Sequence, residues 1–250
     1  MTDVSVKAGG YPADEEFIFL KNYTCPVCGK EVKNPTVKSS KARLVGSDPD
    51  LRPVYEIIDS LKYDVVMCNH CGYAALERYF NTVTQIQKQL IQTKICPAYK
   101  AKEWSPTFSY EDAFFRYRMA LANSIAKQAP DSERAYVALK SAWVLRSWRK
   151  SLGKEEAVKQ EKLAKQEDDL LKNAKEGFQQ ANMKEDYPIC GMDEATVDYL
   201  VAALSAHCGE YEAAVKLLSG VIANREVGAR VKERARDLKD DIVKKAKKQG

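Results

Sequence analysis

Histidine is scarce in this chain, and the sequence patterns of common active sites are missing. His70 and His207 are the only two histidines, so a histidine acid–base pair would have to join residues far apart in the sequence. No phosphate-binding loop, dinucleotide-binding fingerprint or nucleophile elbow occurs in the 250 residues. These absences predict that the protein is not an enzyme.

Long apolar runs are also missing. No stretch approaches the roughly 18 apolar residues that span a bilayer. Near the N-terminus there is only the short apolar run 17–20, beside the acidic residues 14–16, which is unlike a secretory signal. The seven cysteines are an odd number, which disfavours a disulfide framework. We therefore expect a cytoplasmic protein with reduced thiols and no membrane association.

A strong excess of one charge is absent as well. The formal net charge is +5, and residues 1–100 carry 13 basic and 11 acidic side chains while residues 191–250 carry 11 and 10. This balance lacks the basic face expected of a nucleic-acid-binding protein. One local basic run is formed by Lys30, Lys33, Lys38, Lys41 and Arg43. We interpret it as a solvated edge strand protected by lysines, with nucleic-acid binding by a regulatory zinc ribbon as the alternative.

Two Cys-x-x-Cys-Gly segments are the most informative feature that the sequence does contain. They place Cys25 and Cys28 in one segment and Cys68 and Cys71 in the other. Two thiolates three residues apart bind one metal ion when the chain turns sharply, and the glycine after each pair allows the positive φ of such a turn. The matched pairs predict one four-cysteine site in a ribbon-like fold, with zinc as its cofactor.

Other interpretations of these cysteines remain open. Iron in a rubredoxin-like site uses the same four ligands, whereas a redox pair would call for a single Cys-x-x-Cys in a βαβ setting. Because four thiolates complete a tetrahedron, we expect His70 to be an exposed side chain or a hydrogen-bond donor near the site, not a ligand. A closed site of this kind has no open coordination position, so the metal is predicted to be structural.

The remaining thiols and one acidic turn have no assigned role. Cys208 continues an apolar helical stripe and is expected in the core, while Cys96 ends a helix and Cys190 lies in a loop without a neighbouring base. The segment 46–50 predicts a solvated turn decorated by charged residues. If the protein were an enzyme, the site would be expected here, around Asp48, Asp50, Arg52 and Tyr55.

Hydrophobic periodicity divides the chain into a β part and an α part. We predict a flexible N-terminus over 1–16, a zinc-ribbon domain with a trailing helix over 17–106, and a helical domain over 107–250. Strands are predicted over 36–45 and 63–67, and a helix over 74–95. Further helices are predicted after Ser109, from Asp131 to Leu152, over 154–181, after Asp193, over 211–224 and over 229–247. The fold class is therefore mainly α with a small β region.

One pair of these helices resembles a tetratricopeptide repeat. The signal lies in residues 195–222, where Ala202 and Ala214 occupy the close-packing positions and Gly209 and Tyr211 the turn. The segment departs from the usual pattern at Leu218 and has no closing proline, and the earlier hairpin over 109–150 resembles the repeat in shape more than in residues. Stacked repeats offer a surface for a peptide or protein, whereas an ordinary helical bundle without a groove is the alternative.

Taken whole, the chain resembles the bacterial domain-of-unknown-function family 2225. The segments that carry the resemblance are both cysteine pairs, Val37–Lys41, Tyr63–Val65, Ala142–Arg146 and the repeat-like 195–222. The resemblance implies a zinc-ribbon-like region joined to helical repeats in a cytoplasmic bacterial protein, and it implies no known activity.

These observations favour a non-enzymatic protein-interaction or assembly factor. The ribbon would be a rigid base, and the helices would contact a protein or peptide partner. Candidate contact residues are Tyr136, Arg146 and Tyr199, which we expect to be exposed on the helical surface.

Overall fold

A computed structural model describes residues 14–249, with side chains described up to residue 245. Within this range the protein is mainly helical, with three two-stranded antiparallel sheets in its N-terminal part. The predicted fold class, mainly α with a small β ribbon, is confirmed. Of the segment predicted to be flexible, 1–16, residues 1–13 lie outside the described range, and the rest belong to a 3-10 turn over Asp14–Phe17.

Six strands form the β part and eight helices form the α part of the described chain. The strands are β1 (Ile18–Thr24), β2 (Glu31–Val37), β3 (Leu44–Ser47), β4 (Pro53–Tyr55), β5 (Val65–Met67) and β6 (Ala74–Leu76). The helices are α1 (Glu77–Phe80), α2 (Gln85–Lys94), α3 (Tyr110–Ala126), α4 (Asp131–Ser151), α5 (Ala157–Lys184), α6 (Glu194–His207), α7 (Tyr211–Ala223) and α8 (Ala229–Gln249).

Each cysteine pair lies in the turn of a β-hairpin. The β1–β2 hairpin closes with Thr24 opposite Glu31, and the β5–β6 hairpin closes with Met67 opposite Ala74. The glycine after each pair has the predicted positive φ, +73° at Gly29 and +76° at Gly72. These conformations let the backbone N–H of each glycine donate to the carbonyl oxygen of the first cysteine of its pair, at 2.9 and 3.0 Å.

The strand predicted over 36–45 is wrong in its middle. β2 ends at Val37, because its partner β1 begins at Ile18 and Ile18 is the residue opposite Val37. The chain then makes a 3-10 turn over Ser39–Lys41 and becomes extended again only in β3. Alternating side chains alone could not show where the partner strand ends, and the sequence analysis did not identify β1 at all.

The helix predicted over 74–95 is also wrong at its start. Residues Ala74–Leu76 form β6, and α1 is a single helical turn. A new helix, α2, then begins after Thr84, whose side chain and that of Gln87 form a reciprocal capping box. The apolar run before α1 is buried throughout, and a short buried run does not distinguish a strand from a helix.

The later helices begin where their capping residues predict. Ser109 caps α3 through a capping box with Asp112, and Asp193 caps α6 by accepting a hydrogen bond from the backbone N–H of Thr196. Gly209, after α6, has a φ of +81°. These ends were predictable because the signal is local: a side chain satisfies a backbone group three residues away.

Successive helices are joined by short connections and pack as antiparallel neighbours around a main core, with a second cluster formed by α6, α7 and α8. α4 packs between α3 and α5, α6 packs on α5, and α8 contacts both α6 and α7. Buried members of this core include Tyr117 on α3, Leu139 on α4 and Phe178 on α5. Val65 and Met67 of β5 belong to the same cluster, so the apolar core continues from the ribbon into the helices. The division at residue 106 stays a prediction.

Within the described residues, no helix combines the length and apolarity needed to cross a membrane.

Candidate metal centre

The four cysteines of the two hairpin turns form one cluster. The Sγ atoms of Cys25, Cys28, Cys68 and Cys71 all lie within 4.8 Å of one another. Cys25 and Cys71 are separated by 3.7 Å between sulfurs, and Cys28 and Cys68 by 3.6 Å. A tetrahedral site with zinc–sulfur bonds of about 2.3 Å has sulfur–sulfur edges of about 3.8 Å. The cluster therefore has the dimensions of a four-thiolate metal site and can hold a metal ion.

The thiols of this cluster affect one another's ionisation. The pKa of Cys68 is lowered to about 2, first by a hydrogen bond with Cys25 and then by one with Cys71. The same hydrogen bond with Cys68 is the main reason that the pKa of Cys25 is raised to about 12, and hydrogen bonds with both neighbours raise the pKa of Cys71. One thiolate thus keeps its neighbours protonated, and a bound cation would supply the charge that lets all four ionise.

Two helices support the two turns from outside. Asn123 on α3 donates from Nδ2 to the carbonyl oxygen of Gly72 at 3.0 Å, and Gln92 on α2 donates from Nε2 to that of Val27 at 3.0 Å. Each helix therefore fixes one turn and orients its cysteine pair. Sequence analysis missed both residues, because an amide on a helix has no recognisable spacing relative to a distant turn.

Apolar and aromatic side chains surround the buried side of the cluster. Tyr73 and Phe80 lie 5.0 Å apart between ring centroids, and the Tyr73 hydroxyl donates to the carbonyl oxygen of Phe80 at 2.9 Å. Ile91 of α2 is fully buried in the same group. Cys28 is the one exposed thiol of the four. Water is thus excluded from three of the four sulfurs.

His70 and Cys96 are the two further candidate ligands near the cluster. His70 is exposed, which agrees with its predicted place outside the ligand set. Cys96 packs against the apolar surround of the cluster. Burial raises the pKa of its thiol, and a hydrogen bond with Cys71 acts in the opposite direction. The position of Cys96 was not predicted from sequence.

The turn predicted to be solvated is exposed at Gly46 and Pro49, but two of its charged residues are buried against the helices, so the prediction is wrong for these two. Asp50 is 7% exposed and Arg52 is 7% exposed. Arg52 Nε donates to Asp48 Oδ2 at 2.6 Å, and its NH1 donates to the hydroxyl of Ser147 on α4 at 2.9 Å. The turn is therefore attached to the helices by hydrogen bonds that the local sequence does not reveal.

Arg146 on α4 is at the centre of this network. Its guanidinium group donates to Asp48 at 3.0 Å, to Asp50 at 2.9 and 2.7 Å, and to Glu167 on α5 at 2.6 Å. The Nε1 atom of Trp143 donates to Asp50 at 3.1 Å. The carboxylates that we considered for an enzyme site are thus held by arginines, and the neighbouring cavity has a volume of about 330 Å³.

Two of the three side chains expected on the contact surface are not available there. Tyr199 is 5% exposed and belongs to the cluster that α6, α7 and α8 form, and Arg146 is occupied by the network just described. The expectation was wrong for both, because α6 and α4 are packed on more than one face. Tyr136 is half-buried, with Lys140 Nζ 5.1 Å from its ring centroid.

Outside the cluster, the other two thiols are partly buried. Tyr79 donates from its hydroxyl to Cys190 Sγ at 3.3 Å, and Cys190 donates to the carbonyl oxygen of Ser132 at 3.3 Å. Burial raises the pKa of Cys190 and of Cys208, so both are mainly protonated. Cys208 is half-buried at the end of α6 and is less enclosed than the core position that we predicted.

Three members of the basic run have partners in the ribbon. Lys38 Nζ donates to the carbonyl oxygen of Glu16 at 2.8 Å, and Arg43 pairs with Glu56 at 3.0 Å. Lys41 Nζ lies 5.8 Å from the ring centroid of Phe17. The run does not lie along one strand, since a 3-10 turn separates β2 from β3.

A four-cysteine ribbon whose core continues into an antiparallel helical array defines the structural class of this protein. Comparison with protein families gives a match over residues 18–242 to a family described as an uncharacterized protein conserved in bacteria, DUF2225. The match covers most of the chain, so the protein belongs to this family, as its sequence motifs predicted. Comparisons with curated proteins and with solved structures gave no match.

Proposed function

We propose that the protein is a non-enzymatic interaction or assembly factor, in which a structural zinc ion stabilises the ribbon and the helical array binds an extended peptide segment of a partner protein. The observation that carries the proposal is a groove of about 510 Å³ that α3, α4 and α5 form. The zinc assignment is supported by the all-thiolate ligand set and by the sulfur–sulfur distances.

Small side chains form the floor of the groove. Ala135 and Ala138 of α4 and Gly177 of α5 line it. A Cβ added at Gly177 would lie 2.8 Å from the Cβ of Ala135, so the two helices approach each other as closely as a glycine permits. A floor without large side chains lets the backbone of a bound segment come near the helices.

One wall of the groove is apolar and the other carries amides. Ile125 on α3 is 57% exposed, and Leu121 lies beside it. On α5, the side chains of Asn173, Gln179 and Gln180 have no hydrogen-bond partner among the described side chains and backbone, which leave out the side chains after residue 245. An extended peptide has both features to match: apolar side chains for one wall and backbone N–H and C=O groups for the amides.

The charges at the groove are largely paired with one another. Asp131 pairs with Arg134 and, at 3.4 Å, with Lys184, while Glu176 is the other acidic lining residue. The groove therefore offers no strong field to a highly charged partner, and we expect a segment that is neutral overall and has a small apolar side chain.

The α6–α7 hairpin supports a repeat-like array beyond the groove. Ala202 and Ala214, the expected close-packing positions, are both fully buried. They belong to one cluster with Leu218 and Val221. Burial of small residues at both positions is what a tetratricopeptide-like pair requires, and it supports the proposal that neighbouring helix pairs stack to present a binding surface.

A peptide array, probed with the purified zinc-loaded protein, tests the proposed function. Ile125→Asp and Asn173→Ala should abolish or weaken the binding of the peptides that the wild-type protein selects. Val158→Asp is the matched control, because Val158 is 85% exposed on α5 and does not line the groove. Peptides that bind all four proteins equally would overturn the assignment of the groove.

The wild-type protein, compared with the variant Lys33→Glu, can test nucleic-acid binding. The nucleic-acid alternative would replace the interaction proposal if three results were found together. The wild-type protein would be retained on heparin in a salt-sensitive way, Lys33→Glu would abolish this retention, and no peptide would be selected. The expected result is that the protein passes through a heparin column at low salt without being retained, and that it selects peptides through the groove.

A further inference from the structure

Strand β1 has one paired edge and one open edge within residues 14–249. Its hydrogen-bonded partner strand there is β2 alone, with a register that runs from Ile18 opposite Val37 to Thr24 opposite Glu31. Along β1, positions 19–22 and 24 are exposed. A strand of seven residues with an open, exposed edge is a template on which another strand can pair.

Hydrogen bonds at the two ends of the β1–β2 ladder show which residues of β1 face the open edge. The backbone N–H of Lys38 donates to the carbonyl oxygen of Phe17 at 2.8 Å, and that of Cys25 donates to the carbonyl oxygen of Lys30 at 2.9 Å. Because bonding alternates along an antiparallel strand, the odd-numbered residues of β1 face β2. The backbone groups of its even-numbered residues therefore point away from β2. No described residue forms a further hydrogen bond with them.

The one charged side chain of β1 does not protect this edge. Edge strands commonly avoid pairing with other chains through exposed lysines or prolines. β1 has no proline, and its only charged residue, Lys21, donates from Nζ to Glu77 Oε1 at 2.7 Å. The same carboxylate oxygen accepts from the hydroxyl of Tyr23 at 2.8 Å. The charge of Lys21 is thus paired across one face of the sheet, where it does not oppose an added strand.

Exposed apolar side chains lie next to the open backbone groups. Phe19 is 46% exposed and Leu20 is 52% exposed. As consecutive residues of a strand, they lie on opposite faces of the sheet. A cavity of about 430 Å³ borders the second half of β1 and is also lined by Glu77 and Asn81. The edge therefore combines free hydrogen-bonding groups, apolar surface on both faces and open space beside it.

We propose that two copies of this protein pair antiparallel through β1, which joins their β1–β2 sheets into one continuous sheet. The two-fold axis passes beside Leu20, so that Leu20 lies opposite Leu20 of the second copy and Ile18 lies opposite Asn22 of the second copy. All of these residues direct their backbone groups to the open edge. The pairing therefore forms about six hydrogen bonds between the two copies.

The sequence of β1 favours this register and a second copy as the occupant. Pairing along the whole strand would place Lys21 opposite Lys21, and like charges directly opposite are destabilising. With the axis beside Leu20, Lys21 lies opposite Phe19 of the second copy, and an ammonium group near a ring is favourable. The two Leu20 side chains meet on one face, and the two Phe19 rings are diagonal neighbours on the other. Identical strands thus cover each other's exposed apolar residues on both faces.

Sedimentation equilibrium of the full-length protein over a range of concentrations tests the dimer. The wild-type protein should show a monomer–dimer equilibrium. Leu20→Lys puts two like charges at the axis and should raise the dissociation constant of the dimer about tenfold or more. Leu44→Lys is the matched control, because Leu44 is 57% exposed but belongs to β3 in a different sheet. A wild-type protein that is monomeric at every concentration, or equal dissociation constants in the two variants, would overturn the proposal.

Cross-linking of introduced cysteines tests the register, and it keeps the proposal testable if Leu20→Lys does not fold. In the proposed dimer the two residues at position 20 are direct neighbours, whereas the two at position 22 lie about 14 Å apart. A short bismaleimide should therefore link Leu20→Cys much more than Asn22→Cys. The wild-type protein treated in the same way gives the background from its native thiols. Stronger linking of Asn22→Cys would contradict an axis beside Leu20.

The groove variant Ile125→Asp separates this interface from the proposed peptide site. Ile125 lies on α3 and lines the groove that α3, α4 and α5 form. The variant should dimerise with the dissociation constant of the wild-type protein even where it no longer selects peptides. Loss of the dimer in Ile125→Asp, with an unchanged dimer in Leu20→Lys, would place the contact at the groove and overturn the β1 interface.

Discussion

Arg146 on α4 donates two hydrogen bonds to Asp50 in the β3–β4 turn, at 2.9 and 2.7 Å, across 96 positions of sequence. Both side chains are largely buried. The acidic turn of the ribbon is therefore fixed to the helical array by charge, in addition to the apolar core that the two parts share.

The first prediction concerns this ion pair. Asp50→Ala removes one of the three carboxylates that Arg146 binds and leaves the Trp143 Nε1 donor without its acceptor, and we expect the free energy of unfolding to fall by about 1–3 kcal/mol. Chemical denaturation followed by circular dichroism measures the change. Arg43→Ala is the matched control, because Arg43 forms the exposed pair with Glu56 and its removal should cost less than about 1 kcal/mol. Similar losses in both variants would contradict a structural role for the network.

The second prediction is a pH dependence that arises from Asp48. Burial acts to raise the pKa of this carboxyl, but hydrogen bonds from Arg52 and Arg146 outweigh it, so the pKa is lower than its ordinary value of 3.8. A group with a lowered folded-state pKa stabilises the protein above its unfolded-state pKa. The contribution is therefore lost as the pH falls below about 3.8 toward the folded-state value.

Asp48→Asn isolates this contribution. The difference in unfolding free energy between the wild-type protein and the variant should be constant from pH 7 to about pH 5 and should shrink below that. Denaturation curves at successive pH values provide the measurement, and two stability profiles that stay parallel down to pH 3 would show that Asp48 is not responsible.

The third prediction is the metal content. Protein purified without added metal should contain one equivalent of zinc by elemental analysis, and Cys28→Ser should lose most of it. Structural zinc contributes about 10 kcal/mol to folding in small zinc domains, so amide exchange in the β1–β2 and β5–β6 hairpins should accelerate strongly. Cys208→Ser, which changes a thiol outside the cluster, should retain full metal content. A folded, metal-free wild-type protein would contradict the zinc assignment. Iron in the elemental analysis would mean that the four cysteines bind iron instead of zinc.

The fourth prediction compares the two glycines of the cysteine turns. Both have a positive φ, so alanine costs about 1–2 kcal/mol at either site. A Cβ at Gly29 meets no atom within 4 Å, whereas one at Gly72 would lie 2.4 Å from Tyr99. Gly72→Ala should therefore lower the melting temperature much more than Gly29→Ala. Equal shifts would mean that the Tyr99 ring moves away freely.

Local signals in the sequence predicted a large part of this structure. The cysteine spacing with its following glycine identified the cluster, because both hairpin turns are short and depend on adjacent residues. The helix starts at Ser109 and Asp193 were predictable for the same reason, since a capping side chain bonds to a backbone group three residues ahead.

Contacts between distant segments were not predictable. The segment that contains Asp48 and Asp50 has the composition of a surface turn. Only the position of α4 in the fold shows that Arg146 forms ion pairs with these two carboxylates. Tyr199 lies on a helix that packs against α5, α7 and α8, and a single hydrophobic stripe does not show how many neighbours a helix has.

The link between Asp50 and Arg146 also has a consequence for the order of events during synthesis. All four cysteines precede Arg146 in the chain, so the ribbon could bind a metal before the acidic turn can pair with Arg146. At roughly 5–20 residues per second, the ribosome needs on the order of 10 s to travel the 96 positions from Asp50 to Arg146. During that interval Asp50 lacks its Arg146 partner, and the proposed metal would hold the young ribbon together.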